Sequence, residues 1–151
     1  MLRILFICHG NICRSPMAEF MLKAMVKDRG AEDDFEIASA ATSAEELGNP
    51  VYPPAKAQLA KHGISCEGKR ARRVTLADYD HYDFLLCADE RNIRNLGRIV
   101  GPDQQRKVHL ILDYAERAGG SISDPWYSGD FETTYQDLEE GLEGFLRYLG
   151  Y

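Results

Sequence analysis

Long apolar runs are missing from this chain. No stretch approaches the roughly 20 residues that span a bilayer, and the opening MLRILFI is too short for a signal peptide and passes straight into Cys8. An excess of basic residues is missing too. The 18 lysines and arginines stand against 24 carboxylates, a formal charge of -6, which argues against a nucleic-acid surface and leaves room only for a local anion pocket. Cysteine is sparse and irregularly spaced, with four in 151 residues. A chain of this size can bury a core without staples, so free thiols point to a reducing, cytoplasmic setting. No C-x-x-C and no G-x-x-x-x-G-K-[ST] loop is present. Cys8 and Cys13 have four residues between them and no second pair of cysteines or histidines to complete a zinc site.

What is present alternates between strand and helix signals. Arg3–Ile7 (RILFI) is a continuous run of mostly apolar, branched side chains, the pattern of a strand covered on both faces. Gly10 and Asn11 break it, and Ser15-Pro16 reads as an N-cap followed by proline at the first helical position. A helix follows, with Met17, Phe20, Met21, Ala24 and Met25 on one stripe and Gly30 as its stop. FEIASA, FLLCAD and VHLILDY read as three further strands, and AKAQLAKHGI and a segment around Ile93 and Leu96 as helices. ISDPWYSGDFET reads as a long irregular loop. A terminal helix follows with Tyr135, Leu138, Leu142, Phe145 and Leu149 on one side. Strands alternating with helices predict an α/β three-layer sandwich with a small parallel sheet, one domain over residues 1–151.

In such folds ligands sit beyond the carboxyl ends of strands. Cys8 occupies that place, and a short loop leading to a helix can turn backbone amides toward an anion. Gly10 permits close approach to a ligand, Asn11 tolerates a left-handed conformation, and Arg14 offers a fork of donors matched to two phosphoryl oxygens. That positive setting favours a thiolate at Cys8. Together these features predict covalent attack by Cys8 on phosphorus, with Arg14 and the loop amides holding the equatorial oxygens. An isolated cysteine after a strand is as often inert core, but that reading leaves His9, Gly10, Asn11 and Arg14 without a purpose. Cys13 is either core filler or a partner that shields Cys8 from deeper oxidation through a reversible disulfide.

A phosphomonoester must also lose its alkoxide or phenoxide, which calls for a general acid. Asp80, Asp83, Asp89, Asp113, Asp124 and Asp130 all fall at strand or loop ends. Asp124 is favoured because Pro125 restricts it and because Trp126 and Tyr127 beside it suit an aromatic leaving group. The plain alternative is an Asp-Pro turn with two half-buried aromatics.

ICHGNICRSPMAE, SDPWY and FETTYQDLEEGLEGFLRYL resemble the low-molecular-weight protein tyrosine phosphatases, and KHGI, ARRVT and YDFLLCADERNIRNL extend the resemblance over essentially the whole chain. C-x5-R-S-P followed about 110 residues later by D-P-aromatic-Tyr is highly specific. The resemblance implies a four-stranded parallel sheet flanked by helices, and hydrolysis of protein phosphotyrosine with no metal or organic cofactor. It implies Cys8 as nucleophile, Arg14 as phosphate-binding arginine and Asp124 as acid and then base. It places His9, Gly10, Asn11, Ile12, Cys13, Arg14 and Ser15 in the phosphate loop, which would also take free phosphate or sulfate. Cys13 matches the second loop cysteine that can pair with the nucleophile, Asn11 the residue in a strained left-handed conformation, and Ser15 the hydroxyl that donates to sulfur. Ser39 resembles the residue that anchors Asn11. Ile12, Trp126 and Tyr127 fall in the substrate cleft, and in some relatives such tyrosines are phosphorylated. The expected partners are tyrosine-phosphorylated proteins, met by a monomer or weak dimer, without nucleic acid or membrane.

Two departures stand out. Lys69 occupies the place where relatives commonly carry a histidine. Ala44-Glu45-Glu46-Leu47 lies where an aromatic often faces the acid loop, so the rim is acidic and repels acidic phosphopeptides. Neighbouring activities remain as alternatives. An arsenate reductase of the same fold needs a close pair of later cysteines, whereas Cys66 and Cys87 are separated by 20 residues. A protein arginine phosphatase carries threonine where this chain has Ile12. A phosphotyrosine-binding module without turnover fits best where nucleophile or acid is missing, and both are present.

Overall fold

A strand with an apolar side chain at every position from Ile4 to Ile7 needs cover on both faces, and the fold supplies it. The computed structural model describes residues 1–117 and 119–151. Strand β1 (Leu2–Cys8) lies inside a four-stranded sheet and pairs in parallel with β2 (Phe35–Ala41) on one side and β3 (Phe84–Cys87) on the other. The edge strand β4 (Val108–Leu110) pairs in parallel with β3, so the order is β2-β1-β3-β4. Alternation along β1 sends Ile4, Phe6 and Cys8 into one core and Leu5 and Ile7 into another.

The first core is closed by α1 (Arg14–Asp28), α2 (Pro53–Ala60) and α6 (Phe131–Leu149), through side chains such as Met17, Met21, Leu59, Leu138, Leu142 and Phe145. The second lies under α3 (Leu76–His81) and α4 (Glu90–Val100), where Tyr79, Tyr82 and Leu96 pack on Leu5, Ile7, Leu85 and Cys87. The result is the three-layer α/β sandwich with a four-stranded parallel sheet that the sequence predicts. Because β2 lies on one side of β1 and β3 on the other, the chain reverses direction across the sheet at β1. A crevice opens there beyond the strand ends.

Several local expectations change. Helix α1 begins at Arg14, with Cys13 at the N-cap position and no side-chain cap. Ser15 is therefore not the cap, and Pro16 is the third helical residue. It is tolerated because amide hydrogens in the first turn have no intrahelical acceptor. The buried face of α1 runs through Met17, Ala18, Met21, Leu22 and Val26, while Phe20 and Met25 are only partly buried. The fourth strand stops at Leu110 and Ile111–Tyr114 forms a 3-10 turn, because Asp113 accepts from the Leu110 amide and bends the chain. Two helices emerge from segments without a helical reading. Thr75 and Asp78 form a capping box that starts α3. Asp124 caps a short α5 (Pro125–Ser128) inside the expected irregular loop. Helix α6 starts at Phe131 because Asp130 accepts from the Thr133 amide.

Candidate active site

β1 ends at Cys8 and α1 starts at Arg14, so the intervening loop must turn sharply at the mouth of the crevice. Asn11 makes the turn at φ 60°, a conformation that asparagine tolerates better than most residues but that still carries strain. Its side chain is tied on every side. Nδ2 donates to Ser15 Oγ at 2.8 Å and to Ser39 Oγ at 2.9 Å, and Oδ1 accepts from the Arg72 amide at 3.1 Å.

This arrangement gathers donors on Cys8. The Asn11 amide lies 3.3 Å and the Ser15 amide 3.4 Å from Sγ, and the Ser15 hydroxyl lies 2.9 Å away. Because Ser15 Oγ already accepts from Asn11, its own hydrogen is free for the sulfur. Three donors thus converge on Sγ and stabilise negative charge there. The Cys13 thiol is buried in the same loop. Burial, aided by the nearby Cys8, pushes it up to about 12.

The network continues inward to Glu19 and Lys23, which the sequence reading missed. Ser39 Oγ donates to Glu19 Oε1 at 2.6 Å, and Lys23 Nζ lies 2.6 Å from Glu19 Oε2. Lys69 Nζ lies 3.3 Å from Glu19 Oε1 and donates to the Ser39 carbonyl at 2.9 Å. Burial pulls the Lys69 ammonium below its ordinary range, opposed by Glu19. Lys69 therefore braces the backbone and carboxylate around Ser39. The available signal for Glu19 was its position: a carboxylate between Met17 and Met21 on the buried face of α1, only 4% exposed.

Arg14 is held as firmly. Nη1 donates to Asp89 Oδ2 and to the Ile122 carbonyl, both at 2.8 Å, and Nη2 lies 3.6 Å from Asp124 Oδ2. Burial opposes the charge on Arg14, but Cys8, Asp89 and Asp124 outweigh it and raise its pKa. Asp89 sits at the carboxyl end of β3. Burial raises its pKa, but the Arg14 hydrogen bond and the Asn92 amide outweigh that and hold it below the usual carboxylate range. Asp89 was one of six candidate acids. Its geometry makes it the residue that aims the arginine.

Asp124 lines the same cleft as Cys8. Its Oδ1 accepts from the Trp126 amide at 3.1 Å, so the plain Asp-Pro cap and the placement in the cleft are both present. Cys8, His9, Gly10, Ile12, Cys13, Arg14, Glu45, Glu46, Asp124, Trp126 and Tyr127 line a cleft of about 200 Å³. Trp126 is 51% and Tyr127 82% exposed, and Tyr52, unanticipated from sequence, backs Trp126 with ring centroids 4.7 Å apart. The buried side chains of Asn11, Ser15 and Ser39 are not part of the cleft lining.

Among the described residues no group of three or more metal-ligating side chains occurs, and no helix is long and apolar enough to cross a membrane. Cys66 packs in the first core and Cys87 in the second, on opposite faces of the sheet. They do not form the close pair that a relay from Cys8 through two later cysteines uses.

Comparisons with known proteins converge. The family model described as low molecular weight phosphotyrosine protein phosphatase matches residues 3–150. The low molecular weight phosphotyrosine protein phosphatase of Gallus gallus is 40% identical over 147 residues, covering 95% of this chain and 92% of that protein. The low molecular weight protein-tyrosine-phosphatase YfkJ of Bacillus subtilis is 35% identical over 147 residues, covering 97% of this chain and 94% of that one. The crystal structure of YfkJ matches with a TM-score of 0.95 at 34% identity over 99% of this chain and 95% of that chain. A low molecular weight protein tyrosine phosphatase structure from Streptococcus pyogenes matches with a TM-score of 0.88 at 35% identity, covering 99% and 93%.

Proposed function

The chain belongs to the low molecular weight phosphotyrosine protein phosphatase family, and from that premise we propose that it hydrolyses phosphotyrosine in proteins, and small aryl phosphates, through a phosphocysteine intermediate. The observation that carries the reading is the convergence of Cys8, Arg14 and Asp124 on one cleft, with Arg14 fixed by Asp89 and the Ile122 carbonyl.

Cys8 Sγ attacks phosphorus in line with the ester oxygen. The S–P bond forms as the P–O bond to the phenol breaks, and charge spread over the equatorial oxygens is met by Arg14 and the loop amides. Asp124 gives its proton to the departing phenolate oxygen. Its carboxylate then takes a proton from a water molecule, whose oxygen attacks phosphorus and breaks the S–P bond. Inorganic phosphate leaves and the electron pair returns to sulfur as thiolate, now stabilised by the Ser15 hydroxyl and the two amides. Ile12, Trp126 and Tyr127 give the aromatic ring of the substrate an apolar wall. No metal or organic cofactor enters the sequence of steps.

The test is hydrolysis of p-nitrophenyl phosphate, followed by phosphotyrosine, phosphoserine and phosphoarginine peptides side by side. Wild type is expected to turn over the phosphotyrosine peptide fastest. Cys8→Ser should lose nearly all activity, and Asp124→Asn should lose about 10²- to 10⁴-fold, the range of general acid catalysis. Unchanged phosphate release by purified Cys8→Ser protein would remove the covalent route, and faster turnover of phosphoarginine would reassign the substrate.

A further inference from the structure

The cleft has two unlike walls. Ile12, Trp126 and Tyr127 form the apolar one, and Glu45 and Glu46 stand among the residues lining the remainder. Two carboxylates beside a pocket for a dianionic phosphoryl group oppose substrate entry, and neither serves the phosphate itself. Their placement makes sense for a substrate that brings positive charge together with its phosphate.

The carboxylates are mounted rigidly. The loop carrying them is tied to the phosphate loop by the Thr42 amide on the Cys8 carbonyl and the Ser43 amide on the His9 carbonyl, both 3.0 Å. The Ser43 hydroxyl adds a bond to the His9 carbonyl at 2.9 Å. At its far end the Gly48 amide donates to the Ala71 carbonyl at 2.9 Å and the Ala71 amide to the Asn49 carbonyl at 2.8 Å. The Glu46 stem lies over the phosphate loop, with Cγ 3.4 Å from where a Cβ on Gly10 would stand. Glu45 Oε2 lies 2.9 Å from His9 Nε2, and Glu46 Oε2 accepts from Asn49 Nδ2 at 2.6 Å. In each case Oε1 has no protein donor among the described residues, which leaves it to an incoming cation. The opposite wall suits the same visitor, because the exposed faces of Trp126 and Tyr127 can also receive a guanidinium or ammonium.

We propose that Glu45 and Glu46 are specificity-determining residues that select phosphotyrosine flanked in sequence by lysine or arginine. The proposal rests on the phosphotyrosine reading above and names the substrate class of that same site. The ring lies on the aromatic side, the phosphoryl group on Arg14 and the loop, and the flanking cation against the free carboxylate oxygens.

The experiment compares two phosphotyrosine peptides of equal length, one with lysine or arginine at the positions flanking the phosphotyrosine and one with glutamate there. At low ionic strength the basic peptide is expected to have a kcat/KM about fivefold higher, the combined effect of two solvent-exposed ion pairs. The ratio should fall toward one in the Glu45→Gln/Glu46→Gln variant, and in wild type as salt is raised to screen the rim. Glu46→Lys should reverse the preference. Equal kcat/KM for the two peptides in wild type, or a ratio unmoved by the double substitution, overturns the proposal. The single variants Glu45→Gln and Glu46→Gln, and the reversal expected of Glu46→Lys, carry the same test where the double variant is poorly folded, because the net charge of -6 alone also gives a salt effect. Loss of the phosphotyrosine reading has a different signature: neither peptide, nor p-nitrophenyl phosphate, is hydrolysed.

Discussion

At Glu19 a carboxylate sits inside the buried face of a helix, with Lys23 and Lys69 on its oxygens and the Ser39 hydroxyl between it and the phosphate loop. The direction of each hydrogen bond follows from that carboxylate. Glu19 can only accept, so Ser39 donates to it and accepts from Asn11. Asn11 then donates to Ser15, and the Ser15 hydrogen turns to sulfur. Glu19→Met should cost about 3 kcal/mol of stability, because it leaves the Lys69 cation buried without its counter-charge. Glu19→Met/Lys69→Met should recover part of that loss, read from urea midpoints. At Asp89 the relevant variable is pH. Its folded pKa lies below the ordinary carboxylate value near 3.9, so its contribution is complete above that value and is lost as pH falls through the lower folded value. Asp89→Asn should therefore be less stable than wild type at pH 6, with a shallower fall in stability between pH 5 and pH 3. It should also lose turnover, since Arg14 loses its aim.

Helix α6 closes the first core by lying directly on the Ile111–Tyr114 turn, and two glycines on it make that contact possible. A Cβ at position 144 would stand 1.9 Å from the Tyr114 carbonyl oxygen, and one at position 141 would stand 2.7 Å from Ile111 Cγ2. Helix propensity alone favours alanine over glycine by about 1 kcal/mol, so the packing term must be larger and opposite. Gly144→Ala should destabilise by about 3 kcal/mol, since a backbone carbonyl cannot step aside as a side chain does. Gly141→Ala should cost less. The check is the urea midpoint at unchanged slope. The short α5 shows the converse economy, because its cap Asp124 uses one oxygen to start the helix and leaves the other 3.6 Å from Arg14.

For the whole molecule, the position of β1 between β2 and β3 determines where chemistry can occur. The carboxyl ends of β1 and β3 present Cys8 and Asp89 on the two sides of one crevice, and Arg14 reaches from the first helix to join them. The α6 side closes it, because Thr134 donates to the Ser123 carbonyl beside Asp124. A ligand seated there therefore touches elements from both halves of the chain. Inorganic phosphate at about 100 times its Kd should raise unfolding stability by about 2.7 kcal/mol if it binds only the folded state. That gain, read as a shift in Tm, should disappear in Arg14→Ala.

The residues that line the cleft had legible signals because those signals are local. A both-faces apolar strand, glycine and asparagine in a tight loop, an arginine at fixed spacing and an Asp-Pro step each depend only on neighbours along the chain. The four strands and the longer helices followed from periodicity in the same way, whereas the short α3 and α5 did not. What only the tertiary structure decided joins residues far apart in sequence: Glu19 to Ser39 and Lys69, Arg14 to Asp89, Tyr52 behind Trp126, Gly144 against Tyr114. A carboxylate on an apolar stripe, or an aspartate after a strand, announces that it needs a partner without naming one. The partner is fixed only when the sheet order brings separate strand ends together, because hydrogen bonds and close packing act over a few ångströms of space and carry no mark in sequence distance.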